Sequence, residues 1–243
     1  MRMFVGLLFA ISSLAVHAET YVLVHGGWGG GWAMKALGNA IAEHGHQVYR
    51  PSLTGLGERA HLSSPDITLE THIQDIVNLI LYEDLQDVVL VGHSYGGMVV
   101  TGVADRVSER LARRVYVEGM VPNNGESLID IHSKAANNFS RLSRDGFVYH
   151  PRYSADAAPP KHAPQPLKTV TDKINLKHTK LDIPTLYIWT VAPESPAQED
   201  DFYAQAERAR DKGWRVVQVP GGHNIQRGQP KLLAQLIESE ADH

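Results

Sequence analysis

The pentapeptide Gly92-His93-Ser94-Tyr95-Gly96 constrains the fold of this 243-residue chain more than any other feature. It directly follows an apolar run, Val88–Val91, and precedes a segment predicted to be helical, Met98–Arg110. A serine placed between glycines at a strand–turn–helix junction sits on a sharp, strained turn that lifts its hydroxyl above a sheet. The glycines let neighbouring backbone approach without a side-chain clash. We therefore predict that Ser94 is a nucleophile.

Short apolar runs alternate with amphipathic segments along the rest of the chain, which indicates strands joined by crossover helices. The runs predicted to be strands are rich in Val, Ile and Tyr and lack strict alternation, as expected of strands covered on both faces. They are Tyr21–Val24, Gln47–Arg50, Val88–Val91, Val115–Glu118, Thr185–Trp189 and Trp214–Val219. The predicted helices are Leu69–Tyr82, whose apolar stripe includes Ile73, Ile76, Val77, Ile80 and Leu81, then Met98–Arg110 and Leu232–Ile237. The predicted fold is a single α/β domain over residues 19–243, with a mostly parallel sheet between helices.

Residues 122–184 interrupt this pattern. The stretch is rich in proline and glycine and contains no convincing strand. A long irregular segment inside an α/β domain is more often a functional lid than a disordered loop. We predict a small cap over the carboxyl edge of the sheet, with Phe139, Tyr149 and Tyr153 lining a pocket beneath it.

The first eighteen residues have the layout of a secretory signal peptide. Arg2 gives a short basic start, Phe4 to Val16 is mostly apolar, and Ala18 is a small residue at the expected cleavage point. The apolar run of about 13 residues is shorter than the roughly 20 that a membrane-spanning helix needs. We therefore predict an exported protein, periplasmic or secreted, with no membrane association after cleavage.

The net charge and the lack of cysteine argue against several classes of binding partner and of active site. The formal net charge is −4 and no basic stretch is present, which disfavours nucleic acid and anionic membrane surfaces. The absence of cysteine removes thiol nucleophiles and thiolate metal sites. His44-Gly45-His46 supplies two possible ligands without a nearby carboxylate, too few for a metal site. We expect a small-molecule substrate and neither a metal nor an organic cofactor.

Two further segments supply the groups that a serine nucleophile needs. His25-Gly26-Gly27-Trp28 follows the first predicted strand, where one amide of an oxyanion hole belongs, so the backbone N–H groups of Gly27 and Tyr95 are the predicted donors. The general base is expected in the loop after the last strand. That loop is Pro220-Gly221-Gly222-His223, which makes His223 the predicted base.

The carboxylate that would orient His223 can be assigned to either of two glutamates, each of which lies at or just after the end of a predicted strand. Glu194 lies in the loop after the penultimate strand, the commonest place, but it stands among prolines where an exposed turn is expected. Glu118 ends the strand after the nucleophile helix and can reach the histidine loop. Asp200 and Asp201 are weaker candidates. We favour Glu118 and keep Glu194 as the alternative.

These motifs, with Trp32, Leu53-Thr54-Gly55-Leu56-Gly57-Glu58-Arg59 and Val115–Pro122, resemble a small-esterase branch of the α/β-hydrolases. That branch includes plant methyl-salicylate esterases, plant hydroxynitrile lyases and many bacterial esterases. The resemblance covers nearly all of Tyr21–Glu238 and is weak in the cap. Many bacterial members end the matching strand in Asp where this chain has Glu118, which adds to the case for that residue.

The resemblance implies the α/β-hydrolase fold and hydrolysis of a small, largely apolar carboxylic ester through an acyl-enzyme. Amide or carbamate hydrolysis on the same residues is an alternative. The lyases carry a lysine just after the catalytic histidine and a threonine in the first-strand loop, where this chain has Asn224 and Gly26. Both departures disfavour cyanohydrin cleavage. A receptor-like protein that binds without rapid turnover is a further alternative.

Overall fold

The computed structural model describes residues 18–152, 162–194 and 196–239, so most of the predicted signal peptide, residues 1–17, lies outside it. The strands are β1 (Thr20–Val24), β2 (Gln47–Tyr49), β3 (Val88–His93), β4 (Leu111–Val117), β5 (Ser143–Arg144), β6 (Phe147–Val148), β7 (Gln165–Pro166), β8 (Thr185–Val191) and β9 (Arg215–Pro220). Six of them form a fully parallel sheet in the order β2-β1-β3-β4-β8-β9.

The α-helices are α1 (Lys35–Glu43), α2 (Leu69–Tyr82), α3 (Gly96–Arg106), α4 (Leu128–Ile131), α5 (Ser133–Leu142), α6 (Lys168–Thr171), α7 (Tyr203–Asp211), α8 (Ile225–Gly228) and α9 (Pro230–Ser239). Short 3₁₀ turns cover Gly31–Met34, Gly57–Leu62, Ser108–Arg110 and Ala197–Glu199. The predicted boundaries of the helix over residues 98–110 are therefore wrong at both ends. Helix α3 begins two residues earlier, at Gly96, and ends at Arg106, and Ser108–Arg110 forms a separate 3₁₀ turn.

Alternate residues of each central strand enter two different hydrophobic cores. In β1, Val22 and Val24 pack with α2 and α3, whereas Tyr21 and Leu23 pack with α1 and α9. All four are fully buried, and each aliphatic side chain removed from water contributes about 1.5–3 kcal/mol. The sheet therefore needs apolar residues on both faces, which explains why its strands lack strict alternation.

Helix α2 has the predicted boundaries. Thr68 caps its first turn through a reciprocal pair of hydrogen bonds with Thr71. The predicted apolar stripe is buried at Ile73, Ile76, Val77 and Ile80. Its last member, Leu81, is instead 42% exposed, so the buried stripe ends at Ile80.

The segment between β4 and β8 forms short elements at the carboxyl edge of the sheet. It contains α4, α5, α6 and a small antiparallel sheet of β5, β6 and β7. The prediction that residues 122–184 contain no strand was wrong. Each of these strands is only two residues long, so none produces a periodic pattern in the sequence. We refer to residues 122–184 as the cap. Across the described part of the chain, no helix combines the length and the apolar character needed to cross a bilayer.

Candidate active site

Ser94 sits in a strained turn between β3 and α3. Its φ of 54° is in the left-handed region, which costs a non-glycine residue free energy. The flanking glycines are required by space: a Cβ on Gly92 would lie 2.8 Å from the Gly96 carbonyl oxygen, and one on Gly96 would lie 2.7 Å from the Val24 carbonyl oxygen. The local sequence therefore lifts the serine side chain toward the carboxyl edge of the sheet.

His223 bridges Ser94 and Glu118. Its Nε2 lies 3.0 Å from Ser94 Oγ, and its Nδ1 lies 3.3 Å from Glu118 Oε2. The histidine follows β9 and the glutamate follows β4, so three parallel strands deliver the three side chains to one edge. Such a sequence of hydroxyl, imidazole and carboxylate can transfer the serine proton to the ring while the acid holds the ring's other nitrogen.

The Glu118 carboxylate is fixed from two sides. Its side chain is 1% exposed, and Oε1 accepts a 2.6 Å hydrogen bond from the Thr190 N–H in β8. The Glu118 N–H in turn donates to the Ile188 carbonyl. One carboxylate oxygen is thus held by the sheet, and the other faces the imidazole.

The other acids considered occupy different positions. Glu194 is exposed in the turn after β8. Asp200 accepts hydrogen bonds from Trp189 Nε1 at 2.9 Å and from the Phe202 N–H at 2.8 Å, which holds the loop before α7. Asp201 is exposed and borders the cavity described below. Among these acids, hydrogen-bond contact with His223 is made by Glu118.

The His223 ring lies between two other rings. Phe202 stacks on it with centroids 4.6 Å apart, and the His93 ring lies 4.7 Å away. His93 Nε2 donates a 2.7 Å hydrogen bond to the His223 carbonyl. Burial lowers the pKa of His93 to about 3, so it remains neutral and holds the histidine loop as an uncharged donor.

Gly27 and Tyr95, the predicted oxyanion donors, lie close together and border the same cavity as Ser94. A Cβ on Gly27 would lie 3.9 Å from Tyr95 Cβ. None of the hydrogen bonds among the described residues uses either amide as a donor, so both can donate to an oxyanion. His25 anchors the loop before Gly27: its Nδ1 donates to the Gly26 carbonyl at 2.7 Å, and its Nε2 accepts the Leu53 N–H. Burial lowers the His25 pKa to about 4, which keeps it neutral.

The Tyr95 side chain is anchored below the site. Its hydroxyl lies 2.8 Å from His72 Nδ1, and His72 Nε2 donates to the Thr54 carbonyl. Burial lowers the pKa of His72 to about 4 and raises that of Tyr95 well above its usual range. Both groups therefore stay neutral, and the tyrosine donates to the histidine.

A cavity of about 220 Å³ opens onto Ser94 and His223 beneath the cap. Its apolar lining includes Met120, Leu128, Phe139, Leu142, Val170 and Phe202. Phe139 lies in the wall, as predicted. Tyr149 does not belong to the described lining; its ring packs against the Arg144 guanidinium, 4.0 Å from the ring centroid. Tyr153 lies outside the described residues.

Possible metal ligands are scattered in the part of the chain that the structure covers. No three His, Asp or Glu side chains there are close enough together to hold an ion. His44 and His46 instead approach the Glu238 carboxylate, at 2.8 and 3.8 Å respectively.

Fold and site together define a protein in which a parallel sheet presents a serine, a histidine and a carboxylate at its carboxyl edge. The chain matches the alpha/beta hydrolase family over residues 21–236 and belongs to it.

Two curated relatives and one solved structure illustrate the similarity. A carbendazim hydrolyzing esterase from Nocardioides sp. (strain SG-4G) is 51% identical over 115 residues, 47% of this chain and 48% of the relative. Methylesterase 8 of Arabidopsis thaliana is 26% identical over 164 residues, 67% of this chain and 60% of the relative. Both matches thus span less than two thirds of those relatives. An extracellular alpha/beta-hydrolase from a Paenibacillus species, described as similar to tobacco salicylic acid binding protein 2, superposes with a TM-score of 0.78 at 25% identity, covering 91% of this chain and 98% of that one.

Proposed function

We propose that this protein is a serine hydrolase that cleaves a small carboxylic ester through an acyl-enzyme intermediate. One observation carries the proposal: the continuous contact from Ser94 Oγ through the His223 ring to the buried Glu118 carboxylate, at the mouth of an apolar cavity. The family membership and the esterase names of relatives support the same reaction class.

The geometry supports a two-step reaction. His223 Nε2 takes the proton of Ser94 as Oγ attacks the ester carbonyl carbon, and the carbonyl electron pair moves to oxygen. The amides of Gly27 and Tyr95 donate to that oxyanion. When the tetrahedral intermediate collapses, the C–O bond to the alcohol breaks and His223 protonates the leaving alcohol. Water then repeats the sequence on the acyl-enzyme, releasing the acid and regenerating Ser94.

The cavity favours a small, largely apolar substrate. Aliphatic and aromatic side chains form most of its wall, and its volume suits a compact acyl or alcohol group rather than a polymer. Amide or carbamate hydrolysis is the second candidate, because the carbonyl carbon of either group is open to the same attack by Ser94. The same serine and oxyanion donors serve both chemistries.

Cyanohydrin cleavage is disfavoured by the space around Gly26. A Cβ at that position would lie 3.0 Å from both Ser94 Cβ and His93 Nδ1. The threonine that the related lyases carry there therefore does not fit without a shift of the nucleophile turn. A receptor-like role is not needed to explain the site, since its nucleophile, base and acid are within contact distance.

Export is part of the proposal and rests on the composition of residues 1–18. The mature protein is proposed to act outside the cytoplasm on a small-molecule ester, with neither nucleic acid nor a membrane as partner.

Replacement of Ser94 by alanine tests the mechanism. In Ser94→Ala, turnover of p-nitrophenyl and methyl esters of graded chain length should fall by up to about 10⁶-fold, because the nucleophile is absent. Labelling by a fluorophosphonate probe should disappear as well. Ser239→Ala, which alters an exposed serine in α9, is the matched control and should keep both properties. If Ser94→Ala retained a tenth of the parent turnover, the serine mechanism would be excluded.

A further inference from the structure

The proposed mechanism gives no role to a buried polar side chain of the cap that borders the cavity. Gln165, the first residue of β7, is 1% exposed and borders the cavity. Its Oε1 accepts a 2.9 Å hydrogen bond from the backbone N–H of Trp28. Trp28 directly follows Gly27, whose amide is a proposed oxyanion donor. We refer to His25-Gly26-Gly27-Trp28 as the oxyanion loop. A side chain of the cap therefore contacts the backbone of this loop.

Trp28 is attached to the cap at three polar groups. Besides its N–H, its carbonyl accepts the Ala163 N–H at 3.0 Å, and its indole Nε1 donates to the Val148 carbonyl at 2.8 Å. Its φ of 58° is strained for a residue with a large side chain. Such a backbone persists only where its surroundings hold it. The cap supplies those restraints, and they fix the peptide that joins Gly27 to Trp28.

The other end of the Gln165 side chain is held within the cap. Its Nε2 donates a 2.6 Å hydrogen bond to Thr169 Oγ1, and the Thr169 hydroxyl donates to the Pro166 carbonyl at 2.6 Å. Thr169 thus holds the Gln165 amide so that its oxygen faces the backbone beside Gly27, and both side chains are buried.

We propose that Gln165 is a positioning residue that couples docking of the cap to formation of the oxyanion hole. The proposal rests on the serine mechanism given above. When the cap is seated, the Gln165 amide oxygen holds the Trp28 N–H, and the neighbouring Gly27 N–H is aimed at the reacting carbonyl. Without that acceptor two of the three hydrogen bonds between Trp28 and the cap remain, but the strained backbone at Trp28 is held less firmly and the Gly27 N–H is aimed less well at the reacting carbonyl. The effect falls on the tetrahedral state, where the negative charge develops, and not on substrate binding.

The test compares two inhibitors that differ in their need for the oxyanion hole. An aryl trifluoromethyl ketone accepts Ser94 Oγ at its carbonyl carbon, the serine proton passes to His223, and the carbonyl oxygen becomes an oxyanion. The matching methyl ketone has the same aryl group but binds without stable addition. In Gln165→Met, which keeps the length of the side chain and removes the acceptor, Ki for the trifluoromethyl ketone should rise by about 10- to 100-fold. Ki for the methyl ketone should stay within about threefold, and kcat should fall while KM changes little.

Gln205 provides a matched control. It is also 1% exposed, and it accepts a backbone N–H from Val121 at 2.9 Å and donates to the Ile131 carbonyl at 2.8 Å. Gln205→Met therefore removes an equally buried glutamine that binds backbone, away from the oxyanion loop. It should leave the ratio of the two Ki values unchanged. Thr169→Val removes the hydroxyl that holds Gln165 Nε2 and should shift the ratio of the two Ki values in the same direction as Gln165→Met. If Gln165→Met does not fold, the result for Thr169→Val tests the proposal in its place.

Two results would overturn the proposal. The first is an unchanged Ki ratio in a folded Gln165→Met protein or, if it does not fold, in Thr169→Val. The second is an equal shift in Gln205→Met, which would show a general effect of cap stability. Failure of the proposed function gives a different pattern: the parent enzyme itself would hydrolyse no ester and would bind both ketones equally.

Discussion

The assignment of Glu118 can be tested by an amide replacement whose geometry the structure defines. In Glu118→Gln the side chain keeps its shape, but one of its two positions becomes an NH₂ donor. The Thr190 N–H, 2.6 Å from Oε1, can only donate, so the amide oxygen must remain there. The NH₂ group then faces His223 Nδ1, the position 3.3 Å away that Oε2 occupies now. This favours the tautomer with the proton on Nε2, which cannot accept the proton of Ser94.

The expected loss lies between two limits. In a serine protease the equivalent change costs about 10⁴-fold in kcat through the same tautomer effect. The 3.3 Å contact between Nδ1 and Oε2 is longer than a strong charge-assisted bond, so we expect a smaller effect and set the lower limit at about 100-fold. These limits correspond to about 2.7–5.4 kcal/mol of transition-state free energy. Because the interaction strengthens as His223 becomes charged, kcat and kcat/KM should fall together.

The assay is steady-state hydrolysis of a p-nitrophenyl ester, with thermal unfolding to verify that each variant is folded. Glu194→Gln is the matched control: it makes the same chemical change in an exposed turn and should stay within about threefold of the parent. A folded Glu118→Gln enzyme with activity within threefold of the parent would remove Glu118 from the mechanism. A large loss in Glu194→Gln would reassign the acid to the later loop.

Two further predictions concern stability and processing. Burial lowers the pKa values of His25 and His72 to about 4 and that of His93 to about 3, so the unfolded chain binds protons near pH 6.5 that the folded chain does not. The free energy of unfolding, measured with urea, should be constant above about pH 7.5 and should fall below pH 6.5 by up to about 1.4 kcal/mol per pH unit for each histidine; equal values at pH 7.5 and 5 would contradict these burial effects. The full chain expressed in a bacterial host should be recovered outside the cytoplasm with Glu19 as its first residue, and recovery from the cytoplasm with Met1 retained would contradict export.

The fold and the nucleophile turn could be predicted because their signals are local. A buried parallel strand needs a run of apolar residues, and the turn at Ser94 needs glycine at positions 92 and 96; both are encoded within about ten residues. The six strands of the central sheet were predicted with boundaries that differ by a few residues at most. The largest difference is β4, which begins at Leu111 and not at Val115 because Arg113 and Arg114 pair within the sheet as buried cations.

The choice of acid and the internal structure of the cap depend on contacts that are distant in sequence. Whether Glu118 reaches His223 depends on the register of β4 against β8 and of β8 against β9, which no local pattern specifies. The contact between Trp28 and Gln165 joins residues 137 positions apart. Gln165 stands between two prolines in a segment without periodicity. No sequence signal could have identified it as a partner of the oxyanion loop.

The two halves of the active site are therefore supported in different ways. Ser94, Glu118 and His223 are placed by parallel strands of the central sheet, whose pairing does not involve the cap. Gly27 lies between an anchor in the body of the domain, at His25, and an anchor in the cap, at Trp28. If Gly27 is an oxyanion donor held by the cap, as we propose, a change in the cap that alters substrate preference also alters kcat unless the contacts of Trp28 are kept. Cap variants selected for new substrates should therefore tolerate replacements in the wall at Phe139 more readily than at Gln165.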